Sequence, residues 1–463
     1  MADCLLKPVA LGDTVLIVGL GKSGLSAVRF FLKLGAKVKL SDSKQNPPQH
    51  VVDWLNSMNI EVEFGGHSEK FFSGTDLVLL SPGVPHTLPI LDFVRSQGTP
   101  VCGELALAPH YLKTPVIAIT GTNGKTTTTT LIGDIVKASG KKVFVGGNIG
   151  IPLTDYLIGD QSADWLVLEV SSFQLDTAGS FRPDIGLFLN LTPDHLDRYG
   201  SVEEYAHAKM NLFAHQGVND VVIYNSDDPV VCALVQDQHI FVVNNPKRRT
   251  LAFGQGRLNG DGAWYCDTGV ECAVGGVRCD FDLSSTVFMN FPNKENAAAA
   301  ILSCLVAGCS VEAINHGLRK FVALAHRMTL VKEVNGVRYY NDSKATNIGA
   351  LQAALKAFSM PVILIAGGRD KGGDFNLLKK EVSEKVRLML LIGESKALMA
   401  ETFEQVTKVE CCSSLVEAVH RAHELSVPGD IVLFSPACAS FDMFDSYVHR
   451  GEVFEKIVSE LVA

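Results

Sequence analysis

No stretch of this chain is long and apolar enough to read as a membrane span. The longest apolar run, Ala297 to Cys309, is interrupted by Ser303 and falls short of the roughly 20 residues a bilayer requires. The N-terminal MADCLLKPVALGD has no apolar core, so no secretory signal is expected. Positive charge is also scarce: 41 Lys and Arg face 50 Asp and Glu, a net charge of −9. That deficit argues against a broad nucleic-acid face, which must neutralise many phosphates. A small anionic ligand held by a few local cations remains open. The 11 cysteines contain neither a C-x-x-C pair nor metal-finger spacing, and read as reduced thiols of a cytoplasmic protein. Charged residues are 20% and hydrophobic residues 47%, which excludes disordered, collagen-like and disulfide-stapled chains. The 463 residues suffice for about three domains.

Glycine is what the chain has in plenty, 41 residues, and its placement carries the organisation. The apolar run Thr14–Val18 ends in Gly19, helical spacing follows from Leu25 to Leu32, and a second run begins at Lys37. Further βα openings are expected at Leu77–Leu80, Val116–Ile119, Trp165–Leu168, Ile185–Leu189 and Val221–Tyr224. Residues 250–290 read as turn-rich hairpins, and Asn296–Val306 as a helix. The rhythm restarts with strands at Val337–Tyr340, Pro361–Ile365, Leu388–Ile392 and Asp430–Phe434. The alternation predicts an α/β protein of three domains with parallel sheets: a Rossmann-like unit over 1–103, a central P-loop ATPase-like unit with a β-hairpin excursion over 104–323, and a second Rossmann-like unit over 324–463.

Two glycine loops differ in meaning. Gly19-Leu20-Gly21-Lys22-Ser23-Gly24 satisfies G-x-G-x-x-G between strand and helix, with Asp42 ending the next strand, and alone it predicts a dinucleotide or related ligand. On that feature alone a nicotinamide-dependent oxidoreductase is the competing class. Thr120-Gly121-Thr122-Asn123-Gly124-Lys125-Thr126-Thr127 also follows a strand and opens a helix. There Lys125 would reach terminal phosphates, Thr126 would ligate Mg²⁺, and backbone amides would cradle the phosphates. The strict G-x-x-x-x-G-K-[ST] spacing fails, because Ile119 stands five residues before Gly124.

Glu169 ends a strand of parallel type, where α/β proteins bind ligands. Asp194, His195 and Asp197 crowd another strand end and point to a metal or a polar network. Ser201-Val202-Glu203-Glu204 reads as a capping box opening a helix. Its face of Val202, Tyr205, Leu212 and Phe213 includes Lys209, an amine that either snorkels to water or sits desolvated and open to covalent chemistry.

Taken together, GLGKSG, SPGVP, GTNGKTT, GGNIG, LEVSSFQL, DHLDRY, AHAK, NDSKATN, GGRDKGGDF and SPACASFDMF resemble the Mur ligases of peptidoglycan synthesis over nearly the whole chain. GTNGKTT alone would indicate only the wider superfamily, folylpolyglutamate synthetases included. NDSKATN with SPACASFD resembles the branch that adds D-glutamate. The resemblance implies an ATP-dependent acid–D-amino-acid ligase acting through an acyl phosphate, a cytoplasmic monomer without nucleic-acid or membrane partners. Ser23, Asp42 and Gly83 would face a UDP-sugar, and Asn148, Ser171 and Gln174 its muramoyl-alanine portion. ATP would lie on Gly121, Thr122, Asn123, Gly124, Lys125, Thr126 and Thr127, with Asn296, Arg327 and Asp342 towards the adenosine. One Mg²⁺ would be held by Thr126 and Glu169. A second would be held by His195 and by Lys209 as a CO₂-derived carbamate. Lys344 would join Lys125 at the transferred phosphoryl. Thr346, Lys371, Ser440, Phe441 and Tyr447 would grip D-glutamate. The chain departs from the family pattern at Asn290-Phe291-Pro292-Asn293, which lacks a familiar glycine and histidine, and at Phe441, Tyr447 and Arg369-Asp370.

Overall fold

The protein is described by a computed structural model covering residues 7–236, 248–256, 260–289 and 293–462. The described residues divide between two compact units, the first within Met1–Asn190, Ala206–Phe281 and Asn296–Arg319, the second within Leu191–Tyr205, Asp282–Glu295 and Lys320–Ala463.

The first unit contains two sheets. One has five parallel strands in the spatial order Glu61–Phe64, Lys37–Asp42, Thr14–Val18, Leu77–Leu80 and Val101–Gly103, the Rossmann-like arrangement expected. Its central strands are continuous apolar runs because helices cover both faces. The second sheet has a parallel core in the order Val221–Asn225, Ile185–Phe188, Val116–Thr120, Trp165–Glu169 and Val143–Gly147. Val116–Thr120 is the first of these strands in the chain, and later strands add on both of its sides. Its carboxyl end is therefore a topological switch point, the place where open α/β sheets bind ligands.

The predicted hairpin region is only partly hairpin. Arg249–Gln255 pairs parallel with Val221–Asn225, and Gly262–Tyr265 pairs parallel with Arg249–Gln255, so both extend the central sheet. Antiparallel pairing begins with Gly269–Val274. The glycines mark the breaks between these strands correctly, but the pairing partner is chosen by the sheet already standing beside them.

In the first unit the helices Lys22–Lys33 and Leu153–Ile158 meet at a buried polar cluster. Glu104 Oε1 accepts hydrogen bonds from Thr154 N–H and Oγ–H (both 2.7 Å), and Thr154 Oγ is 2.7 Å from Ser26 Oγ. Ser26 in turn donates to Asp155 (2.6 Å).

The second unit is a six-stranded sheet in the order Thr329–Val334, Val337–Asn341, Ile431–Phe434, Val362–Gly367, Val386–Ile392 and Lys408–Cys411. Only the first pair is antiparallel. Its two faces bury separate apolar clusters, one around Tyr339, Val432 and Phe454, the other around Leu351, Leu364 and Met389. Ile431–Phe434 enters last, between Val337–Asn341 and Val362–Gly367. The loops after these three adjacent strands consequently leave the same end of the sheet, and they carry Thr346, Ser440 and Lys371.

Candidate active site

In the first unit the phosphate-type loop leaves Val116–Thr120 and enters the helix Lys125–Ala138. Gly124 sits at the helix N-cap with φ 83° and ψ −16°. Its missing side chain matters twice: the left-handed backbone is cheap only for glycine, and a Cβ there would collide with Asn296 Oδ1. Asn296 comes from the helix Asn293–Val306, and its Oδ1 also accepts from Thr128 Oγ (3.4 Å). Lys125 folds back over the loop, donating from Nζ to the carbonyls of Gly121 and Thr122 (2.9 Å each). The first-turn amides of Lys125, Thr126 and Thr127 point out of the helix N-terminus, the end that favours anions.

Asn190, to which sequence reasoning assigned no role, braces this loop. Its backbone carbonyl accepts from Thr122 N–H (2.9 Å) and its Oδ1 from Asn123 N–H (2.8 Å). These two amides are thus engaged by the protein itself. A polar residue just past a strand end was the available signal.

Glu169 lies at the end of the strand next to the loop, 2% exposed. Its Oε1 accepts from Asn148 Nδ2 (2.8 Å), whereas Oε2 is buried with no hydrogen-bond partner. A carboxylate oxygen held dry and unsatisfied is costly unless a cation joins it. A hard, oxygen-seeking divalent ion fits that oxygen. Among the described residues no cluster of three or more His, Cys, Asp or Glu could hold a metal, so any such ion would complete its shell from hydroxyl, water and substrate oxygens.

Lys209 settles the two readings its helix face allowed. It is 1% exposed, and Nζ donates to Gly121 O (2.9 Å). The amine is desolvated beside the phosphate-type loop and does not snorkel. Ser201 caps its helix as predicted, accepting from Glu204 N–H (3.2 Å), while Glu204 Oε2 turns to Gly200 N–H (2.8 Å). Ser171 and Gln174 are also brought together: Ser171 Oγ accepts from Gln174 N–H (3.3 Å), and Gln174 Oε1 accepts from Ser171 N–H (3.0 Å).

At the Rossmann-like sheet, Asp42 braces its own glycine turn, accepting from Leu20 N–H (2.6 Å) and Lys44 N–H (2.7 Å). Ser23 opens the following helix half-buried, and Gly83 leaves open space where a side chain would be.

In the second unit, Asp342 is buried. It accepts from Met328 N–H (3.2 Å) and Ser435 Oγ–H (2.8 Å). Burial pushes its carboxyl up to about 7, although Ser435, Met328 and the nearby Arg327 pull the other way. Lys344 lies over the Tyr447 ring, Nζ 3.9 Å from the centroid. Lys371 pairs with Asp194 (3.2 Å), which also accepts from Asn347 Nδ2 (3.0 Å). Burial opposes the Asp194 charge, but Lys371 and His195 hold its carboxyl below the usual range. The strand-end cluster around His195 is therefore partly an ion pair. His195 itself takes a left-handed φ of 57°, its amide bonded to Asp194 (2.9 Å). Ser440 is buried, Thr346 half-buried, and Phe441 is 67% exposed. Arg450, which sequence reasoning missed, is buried and ties two of these loops, donating to Ser343 O (2.8 Å) and Cys438 O (3.0 Å). Asn290, Phe291 and Pro292, where the sequence departs from the family pattern, lie outside the described residues.

Three family descriptions match in chain order: "Mur ligase MurD-like, N-terminal domain" over residues 13–103, "Mur ligase middle domain" over 119–303, and "Mur ligase, glutamate ligase domain" over 326–438. The chain is 41% identical over 460 residues to the UDP-N-acetylmuramoylalanine–D-glutamate ligase of Desulfosudis oleivorans, covering 98% of each. It is 43% identical to the protein of the same name from Desulfotalea psychrophila, covering 97% of this chain and 96% of that one. Among solved structures, a pseudomurein peptide ligase type C from Methanothermus fervidus shares the fold with a TM-score of 0.61 at 18% identity, covering 96% of this chain and all of that one. The MurF ligase from Thermotoga maritima, solved in complex with ADP, has a TM-score of 0.57 at 19% identity, with 98% and 96% covered. The chain belongs to the Mur ligase family.

Proposed function

We infer that this protein is an ATP-dependent ligase that joins D-glutamate to UDP-N-acetylmuramoyl-L-alanine during peptidoglycan precursor synthesis. The observation that carries this reading is the full-length match to relatives named for that reaction. Condensing a carboxylate with an amine is uphill in water, and a carboxylate repels nucleophiles. Transfer of the ATP γ-phosphoryl to the carboxylate gives an acyl phosphate with a good leaving group. The D-glutamate amine, once deprotonated, then attacks the acyl carbon, and the tetrahedral intermediate collapses to amide and inorganic phosphate.

The chain's residues divide this work. Gly121–Thr127 would hold the ATP phosphates, with Asn296, Arg327 and Asp342 serving the adenosine. Lys125 would exchange its loop carbonyls for phosphate oxygens, and Lys344 would add positive charge to the transferred phosphoryl. Ser23, Asp42 and Gly83 would bind the UDP portion, and Asn148, Ser171 and Gln174 the muramoyl-alanine. Thr346, Lys371, Ser440, Phe441 and Tyr447 would bind D-glutamate, with Lys371 exchanging the Asp194 carboxylate for a substrate carboxylate. Bound Mg²⁺, at Thr126 with Glu169 and at His195 with carbamylated Lys209, would supply charge neutralisation and a template for the reacting oxygens. Carbamylation needs a neutral amine, and burial of the kind Lys209 experiences disfavours the charged form. One chain carries all the proposed residues, and we place it as a monomer in the cytoplasm. No helix of the described residues is long and apolar enough to cross a membrane.

The test is phosphate release with ATP, Mg²⁺, UDP-N-acetylmuramoyl-L-alanine and D-glutamate. Release should require both acceptor substrates and yield the D-glutamyl product by mass. Release that proceeds without either acceptor overturns the assignment.

A further inference from the structure

The helix Asn293–Val306 ends in a way that brings two thiols together. Gly308 takes a left-handed φ of 76°, Gly308 N–H donates to Leu305 O (3.1 Å), and Cys309 N–H reaches back to Cys304 O (2.9 Å). This nested six-to-one, five-to-two closure places the two residues joined by the outer bond beside each other, and a side-chain contact between them is frequent. Here both are cysteines. Neither thiol has a place in the ligase chemistry proposed above.

The surroundings make the two thiols unequal. Cys304 is fully buried, whereas Cys309 is 6% exposed between the exposed Gly308 and Ser310. Lys141 docks on the same loop, its Nζ donating to Ala307 O (2.8 Å). Cys309 also directly precedes Ser310, whose Oγ accepts from Ala313 N–H (3.2 Å) to cap the helix Val311–Lys320. A thiolate there stands near the positive end of that helix. A hydrogen bond from Cys304 draws the Cys309 thiol down to about 7 against its burial, with help from Ser139 and Lys141. Burial pushes Cys304 well up. At Cys272, beside Cys279, burial drives the thiol upward instead, and the neighbouring Cys279 and Asp280 add to the effect.

We propose that Cys309 and Cys304 form a thiol–disulfide site, with Cys309 the nucleophile, Cys304 the resolving thiol, and a small disulfide such as oxidised glutathione the oxidant. The Cys309 thiolate attacks one sulfur of the small disulfide, whose S–S bond breaks and releases one thiolate. Cys304 then attacks the Cys309 sulfur, its proton passing to the second departing thiolate. Two protein thiols are oxidised by two electrons, and one small disulfide is reduced to two small thiols. The product staples the end of one helix to the start of the next.

The experiment uses the full chain. It is exposed to graded oxidised glutathione, quenched by alkylation and digested with trypsin. Both cysteines lie on one tryptic peptide, Glu295–Arg319. That peptide should appear two hydrogens lighter and refuse alkylation until reduced. In native protein at pH 7, Cys309 should alkylate at least about tenfold faster than free cysteine, because its thiolate fraction is larger. Cys304→Ser should trap glutathione on Cys309. A Glu295–Arg319 peptide that stays fully reduced while Cys266 and Cys411 react overturns the proposal, as does a Cys309 that alkylates only after denaturation. The unsubstituted chain decides the matter even if the variant fails to fold, and the ligase reading is not tested by it.

Discussion

Lys209 Nζ donates a hydrogen bond to the carbonyl oxygen of Gly121 across 2.9 Å, both residues buried. A helix drawn from the middle of the chain thereby places its only inward-facing amine against the loop that opens the helix Lys125–Ala138. That carbonyl also accepts from Lys125 Nζ (2.9 Å), so one backbone oxygen organises two lysines with different tasks.

Lys209→Ala should therefore lower phosphate release by about a hundredfold or more, the scale for losing a charge-stabilising group at a reacting centre. Stability should fall far less in relative terms, by about 1–3 kcal/mol, because Gly121 O keeps Lys125 as a donor. Partial recovery of activity with added formate or acetate would identify the missing group as a carboxylate. Recovery with methylamine instead would identify a plain amine and exclude the carbamate.

Glu169→Gln separates binding from folding. The amide oxygen still accepts from Asn148, but the buried, unpartnered oxygen is replaced by a neutral group. The Mg²⁺ concentration for half-maximal phosphate release should rise by about ten- to a hundredfold. Without Mg²⁺ the variant should unfold at the same or higher urea than the unsubstituted protein, since a dry charge has been removed. An unchanged Mg²⁺ requirement would remove Glu169 from the metal set.

Much of this site was legible locally. The strand Leu77–Leu80, the glycine loops and the Ser201 cap all follow from patterns a few residues long. The apolar face of the helix Val202–Met210 reported that Lys209 was unusual, and only packing could show where its amine ended. Asn190 escaped notice because its partner Asn123 is 67 residues away and an asparagine at a strand end has many possible uses. Lys371 and Asp194 are 177 residues apart, and no period or spacing links them. Arg249–Gln255 looked like half of a hairpin because its glycines mark turns, while its parallel partner is a tertiary choice. Local chemistry was readable; pairing across the chain was not.

Gly124 and Gly140 offer a matched comparison. Both have left-handed φ, 83° and 80°, but an added Cβ meets Asn296 at Gly124 and open space at Gly140. Gly140→Ala should cost only the backbone strain, about 1–2 kcal/mol, and leave the ATP concentration dependence unchanged. Gly124→Ala must also displace Asn296, and should raise the apparent KM for ATP about tenfold or more through the disturbed helix N-terminus. Equal effects at the two positions would show that the Asn296 contact is incidental.

The Glu104 cluster makes stability depend on pH in a direction opposite to that of a salt-bridged acid. Burial pushes this carboxyl from its ordinary 4.5 up to about 7, only partly offset by the hydrogen bonds from Thr154. Its Oε2 has no partner. Between these two values the native protein holds a proton that the unfolded chain releases. The contribution is fully present below about pH 4.5, and it is lost as pH rises through about 7. Glu104→Gln keeps an acceptor for Thr154 and removes the charge. At pH 5 it should be nearly as stable as the unsubstituted protein; at pH 8.5 it should be more stable by up to about 3 kcal/mol. Asp342, shifted the same way, titrates in both proteins, so the difference between them isolates Glu104. Urea unfolding at the two pH values measures it. A difference that stays constant with pH would mean that Glu104 is already ionised where it lies, its charge met by a group this cluster does not include.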